Sequence, residues 1–461
     1  MKSKFIFATL IATVAMTSVA FAGHWKLNDN NEWRYYTNSG DVVTNEWAES
    51  QGAFYYLDSN GSIVTDSMVD DEYYVDSNGV RVKDQWIKHE NNWYYFGTNG
   101  KMYKTDKSEL NVSNLKEING KKYAFDADGK MLYGWIDASS VAMVDEDDEE
   151  GWKNAVYYAG SAEDGAITTG WRQITVEDDD ETKNYWFFFQ NNGKKSTNEK
   201  KTINGVTYKF NTEDGHMISE WDIASGSSAT SSNLNFMKGT GAMVKKGWIW
   251  AVPDEDYIPE DYNDDEYSWW YAENSGKIVK NTVKKVNGKY YAFDDMGRML
   301  YGLVTIDGGD YTMKNGDKDI TDLTSEQIKA LDVDKLYFFS GSEDDGSRKT
   351  GNVKITLDDD TFDFYFNKNG EAENGYVSKI KKYCVNGLII KADKGESNMG
   401  AFDADYKLHY NGDIKEGMIL VNTTGSVLKN KKNIKSNDDY YFCTDADGVV
   451  TYVGTEKKKN V

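Results

Sequence analysis

Residues 118–135 read INGKKYAFDADGKMLYGW. The Asn-Gly and Asp-Gly pairs in this stretch are turn dipeptides, and the alternating rings of Tyr123 and Phe125 between them are typical of a β-strand. The residues after the Asp-Gly pair are predicted to return as the second strand of a hairpin. Because the pattern recurs at 203–221 and 286–303, the sequence predicts a repeat protein whose function resides in its repeats.

The composition favours an all-β fold. Of the 461 residues, 39% are hydrophobic and 28% are charged, which excludes a compositionally disordered chain. The apolar content is rich in rings, with 32 Tyr and 14 Trp, and rings suit pleated, half-exposed strands. A single hairpin is marginally stable in water, so each copy must bury its rings against the next. The predicted fold class is all-β, an elongated solenoid of repeated aromatic-rich β-hairpins.

The N-terminus has the features of a secretory signal. Lys2 and Lys4 precede an apolar run over 5–19, and residues 20–22 form a small-x-small cleavage site, so 1–22 is predicted to be a signal peptide. The protein is expected to be secreted and to lie in the cell wall or at the cell surface. No later segment is apolar enough to span a bilayer, so we expect noncovalent retention there.

Repeat spacing divides the remaining sequence into three parts. Over 23–105 the hairpins are short, and the aromatic run of each ends four residues before its turn glycine, as Tyr36 does before Gly40. Longer units with acidic inserts are predicted over 106–306, and degenerate, Trp-free hairpin repeats over 307–461. A constant turn length fixes the register, which decides the rings that face inward.

The C-terminal part contains two local features. Cys384 and Cys443 are the only cysteines and lie several hairpins apart, so they are expected to be buried free thiols. The sequence leaves open whether either is oxidised. A helical segment is predicted at 324–331, with Thr324 as its N-cap.

The net charge of −23 argues against a nucleic-acid partner, which would require clustered Lys and Arg side chains. An acidic surface fits either a cationic ligand or a role in keeping an exported protein soluble. Charge alone does not distinguish these two interpretations.

The acidic motifs and the histidines show no catalytic or metal-binding pattern. With Gly129 at the glycine position of an EF-hand loop, Ala124 would occupy the first ligand position, so Asp-x-Asp-Gly is interpreted as a turn motif. Runs such as 145–150 are interpreted as solvated loops. No partner spacing for catalysis accompanies the four histidines, His24, His89, His216 and His409. We therefore predict no enzymatic activity, no cofactor and no metal site.

The aromatic rings can serve packing or ligand binding, and the magnitudes favour packing for most of them. Burying about 150–250 Å² of a Trp or Tyr contributes roughly 4–6 kcal/mol, whereas a cation over one ring face gains about 0.5–2 kcal/mol. Ligand contact is favoured where two Trp residues flank one short connection and a ring of the next hairpin closes the pocket. The candidate ligand-binding residues are Trp25 and Trp33 with Tyr55, Trp86 and Trp93 with Tyr123, and, as a weaker set, Trp47 with Phe54 and Tyr73.

The run from Trp86 and Trp93 to Met102 resembles the cell-wall-binding repeats of Gram-positive surface proteins. That family includes choline-binding modules, glucan-binding repeats and the C-terminal repeats of large clostridial toxins. The resemblance implies a three-ring box that holds a quaternary ammonium group, with Met102 on one wall. The acidic inserts after Trp171 and Trp248 are expected to separate the paired rings in the longer units.

Three functions follow as hypotheses. In the first, an exported protein binds cell-envelope polymer noncovalently through aromatic pockets between hairpins, by recognising either teichoic acid choline or wall or α-glucan carbohydrate. In the second, the same pockets act as a lectin for external or host glycans. In the third, the protein is a surface spacer whose rings all serve packing. None of the three involves nucleic acid or transmembrane insertion.

Overall fold

The computed structural model describes residues 23–145, 147–197, 200–223, 234–315, 318–341 and 345–459. The predicted signal peptide, residues 1–22, lies outside the described residues. The chain divides into two compact units, Met1–Ile218 and Ser219–Val461. Each unit has its own series of hairpins.

Unit 1 consists of short strands, most of which pair in sequence order as antiparallel hairpins. Its elements are β1 (Gly23–Leu27), β2 (Trp33–Thr37), β3 (Glu46–Ser50), β4 (Ala53–Leu57), β5 (Ser67–Val69), β6 (Tyr73–Val75), β7 (Gln85–His89), β8 (Asn92–Phe96), β9 (Lys116–Ile118), β10 (Lys121–Tyr123), β11 (Gly134–Asp137), β12 (Ala142–Met143), α1 (Gly151–Asn154), β13 (Tyr157–Ser161), β14 (Asp164–Ile167), β15 (Gly170–Asp178), β16 (Glu181–Phe189), β17 (Lys200–Ile203) and β18 (Val206–Lys209). A four-stranded sheet of order β12-β11-β13-β14 interrupts the two-stranded hairpins.

Unit 2 begins with hairpins and continues into sheets of up to five strands, of which the largest has the order β31-β32-β35-β34-β33. Its elements are β19 (Glu220–Asp222), β20 (Asn235–Met237), β21 (Gly247–Ala251), α2 (Pro259–Asn263), β22 (Ser268–Ala272), β23 (Thr282–Val286), β24 (Lys289–Phe293), β25 (Met299–Leu300), β26 (Gly302–Asp307), β27 (Asp310–Thr312), β28 (Lys314–Asn315), β29 (Lys318–Asp319), a 3₁₀ turn (Ile320–Asp322), α3 (Ser325–Lys329), β30 (Lys335–Phe339), β31 (Gly351–Leu357), β32 (Asp360–Phe366), β33 (Gly375–Val377), β34 (Lys382–Val385), β35 (Leu388–Ile389), β36 (Met399–Phe402), β37 (Leu408–His409), a 3₁₀ turn (Asn411–Asp413), β38 (Ile419–Asn422), β39 (Ile434–Lys435), β40 (Tyr441–Thr444) and β41 (Val450–Gly454). Among the described residues, no helix has the length and apolar character needed to cross a membrane.

Ring-rich strands and tight turns together produce the hairpins. In β7 and β8, Trp86 lies opposite Tyr95, and the turn residues Glu90 and Asn91 have φ angles of 48° and 65°. Two consecutive positive φ angles are those of a type I′ turn, whose twist matches that of the flanking strands. The predicted all-β class of repeated aromatic-rich hairpins is confirmed.

The hairpin within 118–135 is centred on a different turn from the one predicted. Strands β9 and β10 pair across Asn119 and Gly120, whose φ angles of 50° and 79° suit a two-residue hairpin turn. After the Asp-Gly pair a single bridge forms between Phe125 and Met131, and the chain then enters β11. The Asp-Gly turn therefore connects successive hairpins and does not close one.

The Asp-x-Asp-Gly motif serves turns, as predicted. One Asp126 carboxylate oxygen accepts the backbone N–H groups of Asp128 and Lys130 at 2.9 and 2.8 Å. Asp445 accepts an equivalent pair of backbone N–H groups in its own turn. A side-chain oxygen that binds the N–H two residues later forms an Asx turn, so these carboxylates hold the connections between hairpins in one conformation.

Two local predictions for the C-terminal part are confirmed. Cys384 and Cys443 are buried and form no disulfide with each other, and burial raises the pKa of the Cys384 thiol to about 12. Helix α3 begins after Thr324, whose side chain accepts the N–H of Gln327 while the Gln327 side chain accepts the N–H of Thr324. This reciprocal pair of bonds is a capping box.

Among the described residues, Trp270 is the largest fully buried side chain. Its ring lies 4.9 Å from the ring of Trp221, and its indole N–H donates to the carbonyl oxygen of Ala251 at 3.1 Å. Tyr257 and Ile258, which belong to the acidic insert of this unit, are buried in the same cluster. This insert therefore contributes to the core of unit 2.

We expect Trp270→Ala to lower the free energy of unfolding by about 3–5 kcal/mol, because it removes a buried ring from a filled core. Trp250 is a matched control, since it lies in the same hairpin and is 51% exposed. Trp250→Ala is expected to cost less than about 1 kcal/mol. Urea unfolding of the full chain, followed by circular dichroism, measures both, and equal losses would contradict the assignment of the core.

Candidate ligand-binding boxes between successive hairpins

Two successive hairpins supply the walls of each candidate box. Box A contains Trp86 and Trp93 from one hairpin and Tyr123 and Met131 from the next. The Trp86 ring lies 6.4 Å from Trp93 at an interplanar angle of 87°, and 4.9 Å from Tyr123 at 65°. Met131 is buried beside these rings. The rings of Trp93 and Tyr123 therefore each stand at a steep angle to that of Trp86, with a thioether as the fourth wall.

Strand pairing and one backbone hydrogen bond position the walls of box A. Lys88, two residues after Trp86, lies opposite Trp93, so the two indoles are diagonal neighbours on one face of the hairpin. The N–H of Met131 donates to the carbonyl oxygen of Trp93 at 2.8 Å. This bond joins the two hairpins and brings Met131, the second residue after the turn glycine Gly129, to the fourth wall.

Box B repeats this arrangement within unit 1. It contains Trp171, Trp186, Tyr208 and Met217. The Trp171 ring lies 6.4 Å from Trp186 at 82° and 4.8 Å from Tyr208 at 66°. The N–H of Met217 donates to the carbonyl oxygen of Trp186 at 2.7 Å. Box B therefore reproduces box A in its ring geometry and in its link between hairpins.

Box C has the same composition in unit 2. It contains Trp248, Trp269, Tyr291 and Met299. The Trp248 ring lies 6.2 Å from Trp269 at 85° and 4.7 Å from Tyr291 at 72°. Met299 is buried in the same cluster as these rings. The agreement of these values with boxes A and B shows that both units build the same kind of site.

The expectation that acidic inserts separate the paired rings is wrong. Gln173 lies opposite Trp186 and Trp250 lies opposite Trp269, which is the diagonal register of box A. The inserts lie beyond this register, toward the tips of the hairpins, and leave it unchanged. A sequence signal could have revealed boxes B and C, because the second Trp of each box precedes a turn glycine by seven residues, as Trp186 precedes Gly193.

The first predicted set is brought together only in part. The rings of Trp25 and Tyr55 meet at 5.3 Å and 82°. Trp33, in contrast, is 54% exposed, and its ring is in contact with no other ring of the described structure. The fourth wall is the aliphatic side chain of Ile63. No bond like that of Met131 in box A joins Ile63 to Trp33 among the described residues, so this indole is not fixed over the other rings.

The weaker predicted set contains a cation from the protein itself. The rings of Trp47 and Tyr73 meet at 5.3 Å. The guanidinium carbon of Arg81 lies 4.2 Å from the ring centroid of Phe54, 5.2 Å from Tyr73 and 5.4 Å from Trp47. All three rings therefore contact one arginine.

The structure places Met102 outside box A. Its N–H donates to the carbonyl oxygen of Glu72 at 2.7 Å, and its side chain packs near Met68 and Tyr94. Met102 packs one hairpin before box A because the second residue after a turn glycine, here Gly100, packs back onto the preceding hairpin. In box A the wall that the resemblance implied for Met102 is supplied by Met131.

A lysine of the chain occupies the corresponding position at Trp135. Lys195 Nζ lies 5.1 Å from the Trp135 ring and donates to the carbonyl oxygens of Trp152 and Lys153, both at 2.9 Å. Burial lowers the pKa of Lys195 from 10.5 to about 8, although Asp214 acts in the opposite direction. Sequence reasoning missed this lysine, although its position two residues after a turn glycine could have identified it.

Box A has a carboxylate at its rim. Glu163 accepts the indole N–H of Trp93 at 3.1 Å and binds Lys88 Nζ at 2.6 Å. The hydrogen bond from Lys88 lowers the pKa of this exposed carboxyl group. Because the indole N–H is already bound, box A presents ring faces and a thioether to a ligand. The Glu163–Lys88 ion pair lies at its rim, with Lys88 Nζ 5.7 Å from the Trp93 ring.

One acidic group has the spacing of a metal site but contains a lysine. Carboxylate oxygens of Glu150, Asp178 and Asp179 lie within 4.8 Å of one another. Lys153 Nζ lies 2.8 Å from Glu150 and 3.0 Å from Asp178. An ion pair network therefore accounts for this cluster.

Two histidines have carboxylate partners that the sequence analysis did not predict. His216 lies 2.7 Å from Asp214, and His409 lies 2.8 Å from Asp403. In both cases the carboxylate also accepts backbone N–H groups of its own turn. Both pairs serve turns, and the absence of enzymatic activity stays a prediction.

Comparison with known proteins finds repeat families that match part of the chain. Residues 41–81 match the family model of the choline-binding repeat, and residues 84–102 match that of a cell wall binding repeat. Glucosyltransferase-S of Streptococcus mutans serotype c is 26% identical over 220 residues, which cover 43% of this chain and 14% of that protein. The chain thus matches a small part of the length of this relative.

Two solved structures of Streptococcus pneumoniae proteins match part of the chain. The modular autolysin LytC, in complex with a synthetic peptidoglycan ligand, is 17% identical with a TM-score of 0.37, covering 62% of this chain and 54% of LytC. Choline binding protein F, in the presence of a peptidoglycan analogue, is 18% identical with a TM-score of 0.33, and the match covers 76% of this chain and 99% of that protein.

Fold and boxes together define a protein made of aromatic β-hairpin repeats that meet in ring-lined sites. Its residues 41–81 and 84–102 match the models of the choline-binding repeat and of a cell wall binding repeat. Boxes B and C lie outside the matched residues and share the wall composition of box A.

The depressed pKa of Lys195 predicts a pH dependence of stability. Between about pH 8 and 10.5 the unfolded chain binds a proton at this amine that the folded chain lacks, so stability rises with pH across this window. Relative to Lys195→Met, the wild type should gain up to roughly 3 kcal/mol from pH 7 to 10.5. Urea unfolding at several pH values measures the difference.

The exposed neighbour Lys194 provides the control for this titration. The gain with pH relative to Lys195→Met should exceed any change with pH relative to Lys194→Met. A difference between the wild type and Lys195→Met that stays constant with pH would contradict a depressed pKa of Lys195 in the folded protein.

Proposed function

We propose that this protein is exported and binds, noncovalently, a cell-envelope polymer that carries quaternary ammonium groups. The observation that supports the proposal most directly is the repetition of one wall set, two Trp, one Tyr and one Met, in boxes A, B and C. The repeat-family matches over 41–102 agree with a role at the cell wall.

The wall chemistry favours a quaternary ammonium group over a sugar. Such a group has methyl surface and positive charge but no hydrogen-bond donor, so it matches ring faces and a polarisable thioether. A sugar requires polar partners for its hydroxyl groups, since unpaired ones lose their bonds to water. In box A the indole N–H of Trp93 is already bound to Glu163, which leaves few polar groups at the walls.

The magnitude of the interaction favours a polymer as the ligand. Three ring faces at about 0.5–2 kcal/mol each give about 1.5–6 kcal/mol, which corresponds to roughly millimolar affinity for one box. Several boxes that bind one polymer raise the affinity by about 10²–10⁴. The net charge of −23 also attracts cationic groups over a longer range.

Binding of α-glucan is the second candidate function. The match with Glucosyltransferase-S favours it, because the rings of the boxes could stack on sugar faces. Lectin-like binding of other glycans would use the same rings, and a spacer would use them for packing alone. The alternatives are distinguished by the ligand whose binding is reduced when a ring of a box is replaced.

Isothermal titration of the full chain with choline distinguishes the candidates. We expect about three sites, and Trp93→Ala and Trp186→Ala should each remove one because they delete a ring of box A or box B. Trp33→Ala is the matched control, since Trp33 holds the same register position in a hairpin without a complete box. No heat with choline, together with binding of an α-glucan oligosaccharide, would support the second candidate instead.

Retention on purified cell walls tests the polymer. We expect the protein to sediment with choline-containing walls and to be released by excess choline, because the free cation competes for the boxes. A variant that combines Trp93→Ala, Trp186→Ala and Trp269→Ala should remain in the supernatant. Retention that excess choline leaves unchanged would contradict recognition of the ammonium group.

A further inference from the structure

We infer that Arg81 is an internal ligand that closes a fourth cation box, formed by Trp47, Phe54 and Tyr73, and that this box accepts a quaternary ammonium group once the arginine side chain is removed. The inference rests on the proposed function of boxes A, B and C. It also assigns a role to the residue two positions after each turn glycine. The charge of that side chain decides whether the box can bind an external cation.

The position of Arg81 is that of the box methionines. Arg81 is the second residue after Gly79, as Met131 is after Gly129. Its N–H donates to the carbonyl oxygen of Phe54 at 2.8 Å, which matches the bond from Met131 in box A. The backbone therefore delivers either side chain to the same place, the open side of the rings of the preceding hairpin.

The three rings surround the guanidinium as they would surround a ligand cation. Ring centroids of Phe54, Tyr73 and Trp47 lie 4.2, 5.2 and 5.4 Å from the guanidinium carbon, within the roughly 6 Å over which cation–π attraction acts. No ion pair joins Arg81 to a carboxylate among the described residues, although the chain has 76 acidic residues. The rings are thus the main partners of this charge.

Packing holds Arg81 in the box. Gly100, the turn glycine of the next hairpin, lies behind its side chain, where an added Cβ would be 2.9 Å from Arg81 Nε. Burial lowers the pKa of the guanidinium group, yet an arginine remains protonated under ordinary conditions. The box therefore holds a permanent positive charge.

A tethered cation has an advantage over a free one. A group held by a short chain acts at an effective concentration of about millimolar, and here the backbone bond and Gly100 restrict Arg81 further. A free ammonium ligand of similar intrinsic affinity would have to exceed that concentration to displace it. Met131, Met217 and Met299 carry no charge, so the position two residues after the turn glycine supplies no competing cation to boxes A, B and C. Lys88 Nζ lies 5.7 Å from the Trp93 ring of box A, but it is bound to Glu163.

Lys195 supports the same rule at Trp135. It also lies two residues after a turn glycine, Gly193, and its N–H donates to the carbonyl oxygen of Val156 at 2.8 Å. Its amine lies over the Trp135 ring and is only 7% exposed. Unit 1 therefore has two ring sites, at Trp47 and at Trp135, in which a cationic residue at this position occupies the place of a ligand.

The test is to exchange the two residue types. Isothermal titration of full-length Arg81→Met with choline should give one more site than the wild type. Adding Trp47→Ala to Arg81→Met should remove the extra site, since it deletes a wall. The control is Arg172→Met, which replaces an exposed arginine outside the boxes and should leave the number of sites unchanged.

The converse variant keeps the inference testable if Arg81→Met folds poorly. Met131→Arg should close box A and remove one site while circular dichroism remains that of the wild type. A folded Arg81→Met with the wild-type number of sites, or a folded Met131→Arg that loses none, would overturn the inference and leave the proposed function intact. A wild type without any site would refute the proposed function, and one new site in Arg81→Met would still uphold the inference.

Discussion

A single backbone hydrogen bond between successive hairpins is the constraint on which the sites depend. In boxes A and B and at Arg81, the second residue after the turn glycine donates its N–H to a carbonyl oxygen of the preceding hairpin, Met131 to Trp93, Met217 to Trp186 and Arg81 to Phe54. A hairpin of this size is barely stable alone, so this contact both stabilises a pair of hairpins and completes the box where it forms. Rings from two hairpins become walls of one site because this bond sets their relative position.

The turn glycine is required by the same contact. Gly129 has a φ of 82°, which other residues adopt at a cost, and an added Cβ would lie 2.5 Å from the sulfur of Met102. The turn of one hairpin thus rests directly on the side chain that fills the preceding site. Glycine permits the close approach, and the side chain beneath it decides whether the site holds a thioether, an aliphatic group or a cation.

Sequence reasoning succeeded where the interaction is local. The turn dipeptides, the alternation of rings and the capping box at Thr324 each depend on residues a few positions apart, so the hairpins, the Asx turns and helix α3 were predictable. Box A was predictable too, because Trp86 and Trp93 flank one short connection. Boxes B and C were missed because an insert increases the separation in sequence while the strand register keeps Trp171 and Trp186 diagonal to each other.

The sequence by itself determined the all-β class, the hairpin repeat and the kind of residue that lines the sites, since turn chemistry and ring-rich strands are local properties. Only the tertiary structure decided which residues share a box. Met131 replaces Met102 in box A, and Arg81 lies among Trp47, Phe54 and Tyr73, because the fourth wall comes from the next hairpin. That assignment depends on how one hairpin packs on another, and no distance along the chain specifies it.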